Sequence, residues 1–116
     1  MRIGINGFGR IGRALFRVLH EREGMEVVAV NDIADINSLA HLLKYDSIHR
    51  TFRADIQKSG QNIMIDGKSV SITHESQLEN ISWKGCDVVV EATGKFLTKL
   101  DLENHINSGA KKVVLA

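Results

Sequence analysis

The chain has 116 residues, a net charge of +1, 43% hydrophobic and 25% charged residues, and one cysteine. That size allows a single domain burying roughly two-thirds of the surface its unfolded chain exposes. The near-neutral charge argues against nucleic acid or an anionic membrane as partner, and no apolar run nears the roughly 20 residues a bilayer span requires. "MRIGING" at the start carries no secretory signal, and the lone Cys86 excludes an internal disulfide, which together predict a reducing, cytoplasmic setting.

Arg2 to Asn6 is a short apolar run ending at glycines and predicts a buried strand. Arg10 to Arg22 predicts a helix whose apolar face holds Ile11, Ala14, Leu15, Val18 and Leu19, with Gly24 as its stop. "EVVAV", Glu26 to Val30, predicts a second buried strand. Asp35 to Tyr45 predicts a helix capped by Asp35, with Ile36, Leu39, Ala40, Leu42 and Leu43 inward. In "NIMIDGKSVSIT", Asp66-Gly67 separates two alternating runs and predicts a hairpin, because both central turn positions need positive φ. "CDVVVEATG" predicts a buried strand from Asp87 to Glu91, Leu100 to Asn107 a helix stopped by Gly109, and "KKVVLA" a last strand. The order β-α-β-α, hairpin, β-α-β predicts an α/β fold with a mainly parallel sheet and a small antiparallel hairpin insertion.

Between the first strand and first helix stands "INGFGRIGR", with Gly7, Gly9 and Gly12 spaced G-x-G-x-x-G. This is the strand–turn–helix context of a Rossmann-type, doubly wound dinucleotide-binding fold. Gly7 permits the tight turn, Gly9 lets a diphosphate approach the backbone, and Gly12 lets helix and strand pack closely. The free N–H groups and dipole of the helix start favour an anion, the dipole contributing about 0.3–1 kcal/mol. Asp32 ends the second strand about 20 residues past Gly12, where a carboxylate accepts hydrogen bonds from an adenosine ribose. Its alternative role is to cap the next turn. With Asn31 and Ile33 as neighbours, nothing offsets its repulsion of a 2′-phosphate, about 4 kcal/mol at about 4 Å and an effective dielectric of about 20. The expected cofactor is therefore NAD rather than NADP.

"INGFGRIGR", "VAVND", "LLKYDS", "EATG" and "HINSGAKKVV" resemble, in order and spacing, the N-terminal NAD-binding part of phosphorylating glyceraldehyde-3-phosphate dehydrogenase. Erythrose-4-phosphate dehydrogenase shares most of this pattern. The resemblance implies oxidation of the aldehyde of glyceraldehyde 3-phosphate with NAD and inorganic phosphate. In that chemistry a cysteine attacks the aldehyde, a histidine acts as base, and phosphate releases 1,3-bisphosphoglycerate. It places Asn6, Gly7, Gly9 and Gly12 in the cofactor turn, with the main chain of Arg10 and Ile11 on the diphosphate. It places Asn31 and Asp32 at the adenosine ribose, and Thr93 and Gly94 alongside the bound cofactor. Ser76 falls at the adenine contact, where the family often has a basic residue, so only a backbone contact survives there. Ala116 stands where the family usually has Ser or Thr near the nicotinamide, so a hydroxyl contact is lost. Arg50 replaces a glycine usual after "YDS-x-H". The family's "SCTTN" nucleophile, base histidine and phosphate-binding residues correspond to positions beyond Ala116. The expectation is thus residues 1–116 as an NAD-binding domain without the catalytic half, inactive alone and from a homotetrameric parent, with self-association possible along the last strand. A stand-alone dinucleotide-binding module and a partner-binding fragment are the competing readings.

No other residue in the chain supplies the missing chemistry. Cys86 precedes a strand spanning about 16 Å, which places it at the edge opposite the expected ligand. His20, His41, His49, His74 and His105 lack metal spacing and are expected at or near the surface. Glu91 is expected either to orient a ribose or loop amide, or to pair with a helix residue. Tyr45 and Trp83 are expected to pack rather than stack on a ligand.

Overall fold

A computed structural model describes residues 1–45 and 54–116. His49, Arg50 and the Asp46-Ser47 pair of "KYDS" lie outside the described residues. Seven strands form one sheet: β1 (Arg2–Asn6), β2 (Glu26–Asn31), β3 (Ile56–Ser59), β4 (Asn62–Ile65), β5 (Lys68–Thr73), β6 (Val88–Glu91) and β7 (Lys112–Leu115), in the order β3-β4-β5-β2-β1-β6-β7. The five strands from β5 to β7 run parallel. β3, β4 and β5 are antiparallel; β4 and β5 are joined at Asp66 (φ 51°) and Gly67 (φ 81°) as the Asp-Gly pair predicts, and β3 and β4 at Gly60 and Gln61. The antiparallel part is one strand larger than expected. β3 reads "IQKS" and leaves three of its four residues exposed, so it carries no apolar signature.

Among the described residues the helices are α1 (Arg10–His20), α2 (Ile36–Tyr45) and α3 (Lys99–Asn107), with a 3₁₀ turn at Leu78–Asn80. Phe16 and Leu19 of α1 and Ile36, Leu39 and Leu43 of α2 pack with Ile3, Ile5, Val27 and Val30 on one side of the sheet. Leu78, Ile81, Trp83, Cys86, Val89 and Ala110 form a second cluster, against Val28, Ala29 and Val113. Val27 and Val30 share a face because the β1–β2 register shifts between Ile3 and Gly4, giving β2 an extra residue that resets its alternation.

The expected inner face of α1 is corrected. Ile11 and Val18 are exposed at 60% and 52%, and the buried stripe is Gly12, Arg13, Phe16 and Leu19. The apolar residues cover a broad arc of this helix, wider than the sheet can bury, and the side carrying Phe16, the largest, is the one that faces the sheet. Arg13 joins the buried side by donating from Nη1 to the Phe8 carbonyl at 2.8 Å. Two further expectations change. Tyr45 is exposed and leans on the His41 ring, and His105, expected near the surface, is fully buried.

Successive parallel strands are laid down from β1 toward β2 on one side and from β6 to β7 on the other. The order in which strands are added reverses between β1 and β6, and in sheets of this kind ligands bind at that point, in the crevice beyond the carboxyl ends of the strands. The glycine turn after β1 and the Thr93-Gly94 loop after β6 both border that crevice.

Candidate dinucleotide-binding site

The glycine turn is shaped by steric necessity at two positions and left bare at a third. Gly7 has φ +96°, and a Cβ there would lie 2.7 Å from the Thr93 nitrogen. A Cβ on Gly12 would collide with the Gly7 carbonyl oxygen. A Cβ on Gly9 would meet nothing within 4 Å. Gly9 therefore faces open space while its neighbours lock the turn, as a turn built to admit a ligand requires.

Gly9 is also the N-cap of α1, and it has no side chain to cap with; no acid lies in the first turn. The N–H groups of the first turn have no intrahelical acceptor. The other helices meet this need internally. Asp35 Oδ1 accepts from the Ser38 N–H at 2.9 Å at the start of α2. At the start of α3, Thr98 and Asp101 form a reciprocal capping box.

Asp32 performs both roles the sequence allows. Oδ1 accepts from the Ala34 N–H at 2.9 Å, the turn-capping role. Oδ2 accepts from the Phe8 N–H at 2.7 Å, fastening the end of β2 to the glycine turn. Each oxygen keeps lone-pair capacity for a ligand hydroxyl. Phe8 is buried and packs edge-on against Phe16, so the turn is anchored on both sides of its backbone.

The remaining expected residues divide into an exposed rim and a buried base. Arg10, Ile11, Ser76, Gly94 and Ala116 are exposed, and Thr93 is half-buried. Ala116 continues the β6–β7 pairing by donating its N–H to the Glu91 carbonyl at 3.0 Å. Asn6 and Asn31 are buried and their side chains are committed to the protein. Asn31 Nδ2 donates to Asn6 Oδ1 at 2.9 Å and to the Glu75 carbonyl at 2.9 Å. Asn6 Nδ2 donates to Glu91 Oε1 at 2.7 Å.

Glu91 answers both expectations stated for it. Its Oε2 accepts from the Thr93 N–H at 2.9 Å and the Thr93 hydroxyl at 2.6 Å, and its Oε1 lies 2.8 Å from Nε2 of His105 on α3. Burial pushes its carboxyl up, but hydrogen bonds from His105, Thr93 and Asn6 outweigh that and hold it below the usual glutamate range. An unpaired buried carboxylate would cost several kcal/mol, so these donors are a condition of its being there. The only sequence sign of this base is that "ING", "VND" and "VEATG" each end a strand on a polar residue.

Cys86 is buried between Trp83 and Val89, before β6 and at the opposite edge of the sheet from the crevice. Burial pushes its thiol up, more than nearby Arg2 lowers it. No helix of the described residues is long and apolar enough to cross a membrane.

An open glycine turn at an uncapped helix start, at the reversal point of a parallel sheet, with a strand-end carboxylate beside it, defines a dinucleotide-binding Rossmann domain. A family profile described as "Glyceraldehyde 3-phosphate dehydrogenase, NAD binding domain" matches residues 1–99. The chain belongs to that family, whose cofactor is NAD. Over 118 residues it is 47% identical to the glyceraldehyde-3-phosphate dehydrogenase of Geobacillus stearothermophilus, which covers 100% of this chain and 35% of that protein. It is 52% identical over 117 residues to the enzyme of the same name from Buchnera aphidicola subsp. Schizaphis graminum, across 99% of this chain and 35% of that protein. The chain thus spans about a third of the length of these curated relatives.

Proposed function

We propose that residues 1–116 form the NAD-binding unit of a phosphorying-type glyceraldehyde-3-phosphate dehydrogenase, a cytoplasmic, glycolytic enzyme that assembles as a homotetramer. The observation that carries this reading is the bare start of α1, where Gly9 leaves both space and unmet donors. The main-chain N–H groups of Arg10 and Ile11 donate to the diphosphate. Gly7 and Gly12 hold the turn that aims them, and Asp32 accepts from the adenosine ribose. The Ser76 backbone flanks the adenine, while Thr93, Gly94 and Ala116 border the nicotinamide half. Asn6 and Asn31 act from behind, holding the strand ends that carry these groups.

NAD, when bound, supplies a hydride acceptor for oxidation of the aldehyde. The residues of this chain bind and orient it. The sole cysteine is buried at the far edge of the sheet, so the 116 residues bind NAD without turning over.

Titration calorimetry of the chain with NAD and with NADP tests this. The wild type is expected to prefer NAD, and Asp32→Ala to weaken NAD roughly tenfold, the scale of one lost hydrogen bond to a charged group, while narrowing its margin over NADP. An unchanged preference in the variant removes Asp32 from the ribose. A folded wild-type chain that ignores both dinucleotides removes the function.

A further inference from the structure

The last register row of the parallel sheet is a ladder of polar side chains. Thr73, Asn31, Asn6 and Glu91 stand opposite one another across β5, β2, β1 and β6. Thr73 Oγ1 donates to Asn31 Oδ1 at 2.7 Å, and the ladder continues through Asn6 to Glu91. It then leaves the sheet. His105 of α3 meets Glu91 Oε1, and Trp83 Nε1 meets His105 Nδ1 at 2.9 Å. Asn6, Asn31, Glu91, His105 and Trp83 are each at most 3% exposed.

Hydrogen-bond chemistry fixes the direction of every link. An indole N–H can only donate, so His105 Nδ1 must be the acceptor, and its ring is a neutral imidazole with the proton on Nε2. That proton is given to Glu91 Oε1, which also receives Asn6 Nδ2. Oε1 of Glu91 faces two donors, and Oε2 faces the Thr93 N–H and a hydroxyl that can donate to it, a surrounding that favours the carboxylate over the carboxylic acid. Oε2 in turn holds the Thr93 amide and hydroxyl. Thr93 also crowds Gly7, so its position sets one wall of the glycine turn.

We propose that His105, which lies outside the cofactor crevice, is a positioning residue for the dinucleotide. It keeps Glu91 ionised and aimed, and Glu91 keeps the Thr93-Gly94 loop in place beside the nicotinamide half. This rests on the NAD reading above. Without the His105 donor, Glu91 is drawn toward protonation, and a neutral Oε2 would hold the Thr93 N–H and hydroxyl less tightly than the carboxylate does.

The test compares NAD with AMP, which carries only the adenosine half, by calorimetry on the full chain. His105→Leu is expected to weaken NAD roughly tenfold and to leave AMP within about twofold, since Asp32 and its side of the turn are untouched. His105→Gln, which can accept from Trp83 and donate to Glu91, is expected to restore NAD binding. A nitrogen-15 spectrum of the wild-type ring is expected to show protonated Nε2 and bare Nδ1, a readout that needs no variant to fold. Equal losses for NAD and AMP, no loss for either in a folded His105→Leu chain, a His105→Gln variant no better than His105→Leu, or a proton on Nδ1 would each overturn the proposal. A wild-type chain that bound neither probe would overturn the cofactor reading and this one with it, a result distinct from those four.

Discussion

Among the described residues three helices follow the carboxyl ends of parallel strands, and two of them, α1 and α3, treat their first turns in opposite ways. At α3, the Thr98 hydroxyl accepts from the Asp101 N–H at 3.1 Å and the Asp101 carboxylate accepts from the Thr98 N–H at 3.3 Å. At α1, a glycine stands in the cap position with no side chain and nothing beside it. Both helices have the same unmet donors. One satisfies them from its own sequence, and the other leaves them open, which is where the proposed function seats the diphosphate. The proposed site is therefore marked by a missing cap as much as by the residues present.

The comparison can be broken most severely at Gly12. Gly12→Val drives a side chain into the Gly7 carbonyl, and destabilisation of about 3 kcal/mol or more is expected in urea unfolding, with NAD binding lost alongside. Gly9→Asp is the sharper experiment, because it makes α1 resemble α3. The new carboxylate caps the helix, so stability should hold or rise by a few tenths of a kcal/mol, while NAD affinity falls roughly hundredfold as the anion site is taken and repels the diphosphate. Thr98→Ala makes α3 resemble α1, with an expected loss of about 1 kcal/mol in stability and unchanged NAD affinity by calorimetry.

The smallest effect concerns pH. The folded-state pKa of Glu91 lies below its ordinary 4.5. A depressed carboxyl stabilises the fold at pH above the unfolded value, and that contribution is lost as pH falls from about 4.5 through the lower folded value. Urea midpoints taken from pH 6 down to 3 should decline over that window. Glu91→Gln should flatten the part of the decline that belongs to this residue.

The local features of the fold were legible because short-range chemistry sets them. Gly7, Gly9 and Gly12, the Asp35 cap and the Asp66-Gly67 turn each act within a few residues, and the structure places them as the sequence predicts. The parallel order followed from alternating strands and helices. The buried base of the site was not legible in this way. Asn6 meets Asn31 across 25 residues and Glu91 across 85, and only strand register brings them together. His105 looked like any helix histidine, because the sequence does not show that Trp83 and Glu91 arrive on either side of its ring. The inner face of α1 was misread for a related reason. Its apolar residues cover a broad arc, and the sheet selects the part of it that carries Phe16.

The central claim is that the dinucleotide's diphosphate rests on the uncapped start of α1. Backbone amide shifts of the isotope-labelled chain titrated with NAD test it most directly. The largest changes are expected at Gly9, Arg10 and Ile11, with the Leu100 and Asp101 amides of α3 unmoved. Saturable NAD binding that left Arg10 and Ile11 unshifted, or that shifted the start of α3 instead, would contradict it.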